Sequence, residues 1–243
     1  MAALPLINDK CPSFTRFRPA CMRGGQRSAS EQLADTARMS AHDNETPAEA
    51  LFRLNATMMA SDEFQSMTGA PTVLGTGSVP SPLMLLGEQP GEQEDAMGQP
   101  FVGPAGQVLD EALMLAGIER DQLYVTNTLK HYKFRRQGSA RLHLVPTLVD
   151  ITRYLPWLEQ EIAIVSPVLI VALGKVAARA LLSKEIAVEQ MRGQMLERRD
   201  GRLVVPAYHP SYILRTPDAA MKKTRFQRLV KDLAMAARIA NLE

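Results

Sequence analysis

The chain has 243 residues with a formal net charge of +2, and 46% of its residues are hydrophobic. That composition is typical of a globular protein with a full core and excludes a chain too polar to fold. No apolar run reaches the roughly 18 residues of a membrane span, and the start lacks the charged and apolar regions of a secretory signal.

Residues 1–45 are predicted to form a flexible tail. The first part carries arginines and few acids, which weakly resembles an organelle transit peptide, and residues 22–45 have the Gly, Ser, Asn and Asp content of a linker. Cys11 and Cys21 lie here, and their spacing fits neither a disulfide framework nor a four-ligand metal site, so we expect two idle thiols. Thr46 followed by Glu49 predicts a capped helix start, which places the domain at 46–243.

The rest of the chain alternates apolar strands with amphipathic helices. The predicted strands are 83–86, 122–127, 168–173 and 202–209, and the predicted helices are 104–117, 146–165, 174–182 and 219–241. Such alternation predicts an α/β fold, a three-layer α/β/α sandwich around a four-stranded parallel sheet. Residues 130–145 are predicted to be a basic loop, and Arg199-Asp200-Gly201 is a hairpin-turn signal.

Four short motifs lie where predicted strands end. Gly87-Glu88-Gln89-Pro90-Gly91 follows the first strand, and Gly98-Gln99-Pro100-Phe101-Val102-Gly103-Pro104-Ala105-Gly106 leads into the first sheet-flanking helix. Val125-Thr126-Asn127 closes the second strand, and His209-Pro210-Ser211 follows the last. In α/β proteins this edge of the sheet is where ligands bind. Taken singly, Asn127 is typical of a helix cap, Phe101 of a core ring and His209 of a structural histidine.

In this order the motifs resemble the uracil-DNA glycosylase superfamily over about residues 70–240, closest to its iron–sulfur branch and the X-type, DNA-trapping relatives. The resemblance implies hydrolysis of the bond between uracil and deoxyribose after the base is flipped from DNA. Glu88 and His209 are then the catalytic residues, Glu88 near the sugar cation and water, His209 donating toward O2. Phe101 stacks on the base, Asn127 reads its polar edge, and backbone amides around Gln89 assist.

The expected partners are DNA containing uracil or abasic sites, and uracil as product. The following residues are predicted to bind DNA: Lys130, Arg135, Arg136, Arg141, His143, Ser211 and Arg215. A charge run is usually a solvated face, but these runs follow site motifs, which favours phosphate contacts. Ile213 or Leu214 is the expected wedge that replaces the flipped base. We expect a bacterial, cytoplasmic monomer, associated with the nucleoid through its substrate and without membrane attachment.

The resemblance is incomplete where the iron–sulfur branch keeps its cluster cysteines. Ala60-Ser61-Asp62-Glu63 stands where that branch has Cys-x-x-Cys, and Tyr154-Leu155 precede the Pro156-Trp157 pair that follows another of its cysteines. His131 matches a ligand of the X-type members but cannot hold a cluster alone. The sequence therefore predicts packed side chains at this place, and a reaction that needs no metal or other cofactor.

Two modes of action remain open. The X-type relatives capture DNA through a histidine within Lys-Arg-Arg-Ile-His, where this chain has Ser139-Ala140-Arg141-Leu142-His143. Loss of two basic residues predicts a looser loop, which favours a turnover glycosylase over covalent capture by His143. A nucleotide hydrolase on a similar sheet is a distant third reading. Gly91, where other branches have a bulky Tyr, predicts excision of some deaminated bases beyond uracil.

Overall fold

The computed structural model describes residues 45–61 and 71–242, and these belong to one compact unit. The predicted tail, with Cys11 and Cys21, lies outside the described residues. The strands are β1 (Thr76–Gly77), β2 (Leu83–Gly87), β3 (Tyr124–Asn127), β4 (Phe134–Gln137), β5 (Ala140–His143), β6 (Leu169–Leu173), β7 (Leu196–Glu197) and β8 (Leu203–Ala207). The α-helices are α1 (Pro47–Met59), α2 (Glu92–Met97), α3 (Pro104–Leu115), α4 (Leu148–Val165), α5 (Gly174–Leu182), α6 (Val188–Met191), α7 (Pro210–Leu214) and α8 (Ala219–Ile239).

The main sheet has six strands in the order β1-β3-β2-β6-β8-β7. Its four central strands are parallel, as predicted, whereas β1 and β7 pair antiparallel at the two edges. The prediction of a purely parallel four-stranded sheet is therefore corrected to a mixed six-stranded one. Each edge strand has only two residues, which is too short to leave a periodic hydrophobic signal in the sequence.

The parallel strands are buried on both faces, as the continuous apolar sequence of β6 predicts for that strand. Met84 and Leu86 of β2 pack into one hydrophobic core with α1, α4 and α5. Leu83 and Leu85 point to the opposite face and pack with α3, α7 and α8. Two helical layers therefore enclose the sheet. Among the described residues, no helix combines the length and the apolar character that a membrane crossing requires.

Most predicted element boundaries hold within a few residues. Thr46 and Glu49 form the predicted capping box of α1. β7 and β8 form the predicted hairpin, with Gly201 at φ 83° in its turn. The prediction of a basic loop over 130–145 is wrong in part, because β4 and β5 make an antiparallel hairpin there. β4 carries arginines at the consecutive positions 135 and 136, so it lacks the alternation that identifies a strand, and β5 alternates over only four residues.

Candidate active site

The four key predicted residues meet at the carboxyl edge of the parallel strands. Glu88 directly follows β2, Asn127 ends β3, and His209 follows β8 by two positions. Phe101 reaches the same place from the loop between α2 and α3. All four line a cavity of about 270 Å³. The parallel arrangement brings them together because every parallel strand ends at this edge.

Gly87 allows the two walls of the cavity to approach each other. A Cβ atom at Gly87 would lie 2.2 Å from Asn127 Oδ1 and 2.6 Å from Phe101 Cζ. Only a residue without a side chain fits between this ring and this amide. The Phe101 ring also lies beside His209, with ring centroids 5.9 Å apart and planes inclined by 31°.

The Asn127 amide is prepared for a ligand. The side chain is buried, and no hydrogen-bond partner reaches its Oδ1 atom. A buried polar atom without a partner costs about 1–3 kcal/mol, so such an atom in a cavity wall indicates a ligand that supplies the missing donor. The N3–H group of a uracil ring is a donor of the required type, whereas cytosine presents an unprotonated nitrogen at that position.

The environment of His209 fixes which ring nitrogen carries the proton. The backbone N–H of Ser211 donates to Nδ1 at 3.1 Å, and the Ser211 hydroxyl lies 2.8 Å from the same atom. An N–H group can only donate, so Nδ1 is the acceptor and the neutral ring carries its proton on Nε2. Nε2 is buried and has no partner. Burial lowers the His209 pKa to about 4, with Glu88 opposing the shift and Arg215 and His143 adding to it.

The Glu94 carboxylate joins the two halves of the glycine-rich segment. Its oxygens accept from the backbone N–H groups of Gly91, at 2.9 Å, and Gly103, at 3.0 Å. Glu94 and Asp95 are both buried, so this acidic segment does not simply face solvent. Capping of α2 by Gly91 with Glu94 at the third helical position is the signal that could have revealed this role.

Gln89 lines the cavity, but its side chain points to the β4–β5 hairpin. Its amide nitrogen donates to the Leu144 carbonyl at 3.0 Å, and its amide oxygen accepts from the Lys133 N–H at 3.2 Å. These bonds hold both ends of the hairpin beside the cavity. Any contact between Gln89 and a base must therefore come from its backbone.

His143 is the hairpin residue nearest the reacting groups. Its Nε2 lies 3.5 Å from Glu88 Oε1, and 45% of its side chain is exposed. The hairpin around it is held in place, because Arg141 pairs with Glu92 at 3.2 Å and with Asp95 at 2.5 Å. Carboxylates of α2 therefore anchor this hairpin, which the sequence predicted to be a looser loop.

The predicted DNA-binding residues fall into two groups. The prediction that Lys130 binds DNA is wrong. Its ammonium is buried and pairs with Glu161 at 2.6 Å, so it cannot reach a phosphate. Burial lowers the Lys130 pKa, and Glu161 opposes that shift. The guanidinium of Arg141 is taken up by carboxylates, and Ser211 faces His209. The sequence shows that these side chains are polar but not which way they point.

Three of the arginines that were predicted to bind DNA are exposed, whereas the predicted wedge residues are buried or half-buried. Arg135 and Arg136 lie on the open surface of β4, and Arg215 lines both the site cavity and an adjoining one of about 510 Å³. Ile213 packs in the core between sheet and helices, so it is not the wedge. Leu214 is half-buried, and the neighbouring Tyr212 is exposed with Arg225 4.3 Å above its ring.

His131 and Tyr154, which the sequence places beside the expected cluster position, bond to ordinary side chains. His131 Nδ1 and the Tyr154 hydroxyl are 2.7 Å apart, and His131 Nε2 is 2.9 Å from the Thr72 hydroxyl. Both imidazole nitrogens are thus engaged, and the described residues include no thiolate. Asp62 and Glu63 lie outside the described residues. These side chains do not fit a cluster.

The sequence was compared with those of known proteins. Residues 74–234 match the family described as the Uracil DNA glycosylase superfamily. The type-4 uracil-DNA glycosylase of Thermotoga maritima is 33% identical over 160 residues, covering 65% of this chain and 80% of that protein. The type-4 uracil-DNA glycosylase of Pyrobaculum aerophilum is 35% identical over 170 residues, covering 67% and 80%. That of Sulfurisphaera tokodaii is 30% identical over 171 residues, covering 67% and 74%.

Proposed function

Because the chain belongs to the uracil-DNA glycosylase superfamily, we propose that it hydrolyses the N-glycosidic bond of uracil in DNA and leaves an abasic site. One observation carries the proposal. Asn127 Oδ1 and His209 Nε2 are both buried without partners, in two residues that line one cavity beside the Phe101 ring. Together they offer one acceptor and one donor to a flat ring with complementary polar edges.

Recognition of the base follows from these atoms. A flipped uracil stacks on Phe101, its N3–H donates to Asn127 Oδ1, and its O4 accepts from the Asn127 amide nitrogen. Cytosine presents an acceptor at N3, which faces the acceptor Asn127 Oδ1, and an amine at C4, which faces the donor nitrogen of the same amide. Neither hydrogen bond can then form. Leaving buried polar groups unpaired discriminates strongly against the wrong ligand.

Bond cleavage places negative charge on the base and positive charge on the sugar. His209 donates from Nε2 to uracil O2, where the negative charge develops, and its orientation is fixed before the substrate arrives. The Glu88 carboxylate stabilises the sugar cation and orients the attacking water. The reaction breaks the C1′–N1 bond, and water adds its hydroxyl to C1′ while a proton is released to solvent or to Glu88.

The surface around the cavity fits a DNA strand. Arg135 and Arg136 on the hairpin and Arg215 at the cavity mouth are exposed cations that can pair with phosphates. The protein acts as a monomer in this scheme, because every group that it uses comes from one chain.

A second mode of action has one specific observation in its favour. The Glu88 carboxylate that orients water also lies 3.5 Å from the His143 imidazole, on a hairpin held by Gln89 and Arg141. The imidazole could therefore attack the sugar cation at C1′ in place of water and form a covalent protein–DNA adduct. We favour turnover, because His143 is close to solvent and water reaches Glu88 as well.

Both modes of action begin with uracil release, so single-turnover release from a labelled oligonucleotide tests the site that they share. Asn127→Ala is expected to slow release at least about 10²-fold, the scale for losing a preorganised polar contact. Thr152→Ala, which removes an exposed hydroxyl bonded only to its own helix, is the matched control and should leave the rate unchanged. An unchanged rate in Asn127→Ala would place the site elsewhere in the protein.

A further inference from the structure

The backbone of the stacking residue is held in an unusual conformation. Phe101 has φ 54°, in the left-handed region that bulky residues rarely adopt. A residue stays there only when its surroundings enforce the conformation, and such residues cluster at functional sites. The left-handed turn aims the ring across Gly87 toward Asn127 and His209. Whatever enforces the turn therefore sets the width of the base cavity.

One side chain binds both carbonyl groups of this turn. Arg120 donates from Nη2 to the Pro100 carbonyl at 2.8 Å and from Nη1 to the Phe101 carbonyl at 3.1 Å. Its Nη1 also pairs with the Asp110 carboxylate on α3. A guanidinium has its donors in a rigid planar fork, so it can hold two neighbouring acceptors at a fixed separation, which an ammonium cannot do.

The position of Arg120 connects the two walls of the cavity. It begins the short 3₁₀ turn Arg120–Gln122, which leads directly into β3 and so to Asn127. The fork thus ties the turn that carries the stacking ring to the segment that leads to the base-reading amide. On the other side, Gly106 admits the Phe101 carbonyl, since a Cβ there would lie 1.9 Å from that oxygen.

We propose that Arg120 is a positioning residue for base excision, which holds the Phe101 ring at stacking distance from the flipped base. This inference rests on the proposed function, because a stacking distance matters only if a base enters the cavity. Arg120 acts through Phe101 and does not touch the substrate. Its side chain is one-third exposed, so its replacement should alter the cavity more than the overall stability.

The experiment is a double-mutant cycle with single-turnover uracil release as the readout. Arg120→Lys keeps the charge but loses the fork, and it should slow release by about tenfold, since a misplacement of about 1 Å can cost up to 10²-fold. In the Phe101→Ala background the same change should alter the rate by less than about twofold, because the ring that Arg120 positions is gone. Arg179→Lys, an arginine of similar exposure that pairs with Glu185, is the matched control and should be silent.

The outcomes separate the two proposals. If the parent protein releases no uracil, the proposed function fails. If the parent is active and Phe101→Ala is equally active, the stacking role of Phe101 fails, and the positioning role of Arg120 fails with it. If both behave as proposed but Arg120→Lys matches Arg179→Lys, the positioning role fails alone. A tenfold loss that persists in the Phe101→Ala background would show a general structural role instead. Should Arg120→Lys fold poorly, Asp110→Asn is a milder variant that leaves both carbonyl contacts intact. It should slow uracil release partially in the protein that keeps Phe101, and should have no effect in the Phe101→Ala background.

Discussion

Replacement of His209 by alanine tests the electrostatic part of the proposal. In the free protein, Nε2 is already buried and lacks a partner, so the donor has lost its water before the substrate binds. Its bond to uracil O2 strengthens as charge develops in the transition state. Removing a preorganised donor of this kind costs about 10²–10³-fold in rate, or about 2.7–4 kcal/mol. We expect His209→Ala to fall in this range.

The control for this variant comes from the neighbouring serine. The Ser211 backbone N–H, as well as its hydroxyl, donates to Nδ1, so Ser211→Ala keeps the group that fixes the tautomer. It should lose only about 0.5–1.5 kcal/mol of transition-state stabilisation, the net worth of one hydrogen bond. The assay is single-turnover uracil release with enzyme in excess. Equal losses in the two variants would contradict the assignment of Nε2 as the donor.

The pH dependence of uracil release tests independently whether His209 acts as a neutral ring. Burial lowers the His209 pKa from 6.5 to about 4, so the ring stays neutral, with its proton on Nε2, throughout the range above that value. Protonation would put a hydrogen on Nδ1, opposite the Ser211 N–H. The rate of uracil release should therefore not fall as the pH drops through 6.5. Protonation of His209 should lower the rate only near pH 4. A rate that titrates near 6.5 and loses this step in His209→Ala would refute the reasoning.

Four further predictions follow from other parts of the molecule. Glu161→Gln should destabilise the fold by about 3–5 kcal/mol in urea unfolding, because it leaves the buried Lys130 ammonium unpaired; the exposed Glu185→Gln, which breaks a surface pair with Arg179, should cost less than about 1 kcal/mol. The affinity for DNA should fall with salt at a log–log slope of about −3, because three arginines, Arg135, Arg136 and Arg215, are exposed; Arg135→Gln with Arg136→Gln should flatten the slope by about two units, whereas Arg53→Gln, paired with Glu45, should not. Protein purified without oxygen should contain no stoichiometric iron or acid-labile sulfide, and finding both would overturn the replacement of cluster ligands by His131 and Tyr154. Gly91 lines the cavity, so the range of excised bases should include 5-substituted uracil, xanthine or hypoxanthine, and Gly91→Tyr should excise fewer of them. Release of uracil alone by the parent protein would contradict this prediction.

The fold was predictable to the extent that its hydrophobic patterns are long. β2, β6 and β8 are apolar throughout, and β3 is closed by Val125-Thr126-Asn127. The parallel pairing and the convergence of Glu88, Asn127 and His209 could therefore be expected from the sequence. The edge strands β1 and β7, of two residues each, carry no such pattern. The β4–β5 hairpin was missed because each strand has only four residues and β4 contains two consecutive arginines, although Gly138 at φ 61° marks the turn.

Side-chain directions were the least predictable part of the site. Lys130 and Arg135 are both basic residues after a strand, yet one is buried against Glu161 and the other is exposed. The difference depends on a carboxylate 31 positions away in the chain, on α4. Arg120 also lies outside every motif, and only the folded backbone places it at the Phe101 turn. Contacts of this kind arise from tertiary packing, which short sequence patterns do not encode.

Incubation with a uracil-containing oligonucleotide tests the central claim most directly. The protein is mixed with an excess of labelled DNA, and the products are resolved on a denaturing gel before and after cleavage of abasic sites, with His143→Ala alongside. Catalytic turnover predicts more than one abasic product per protein molecule and no covalent band in either sample. DNA left intact would contradict the glycosylase assignment, and a covalent band at the summed mass that disappears in His143→Ala would show capture instead of turnover.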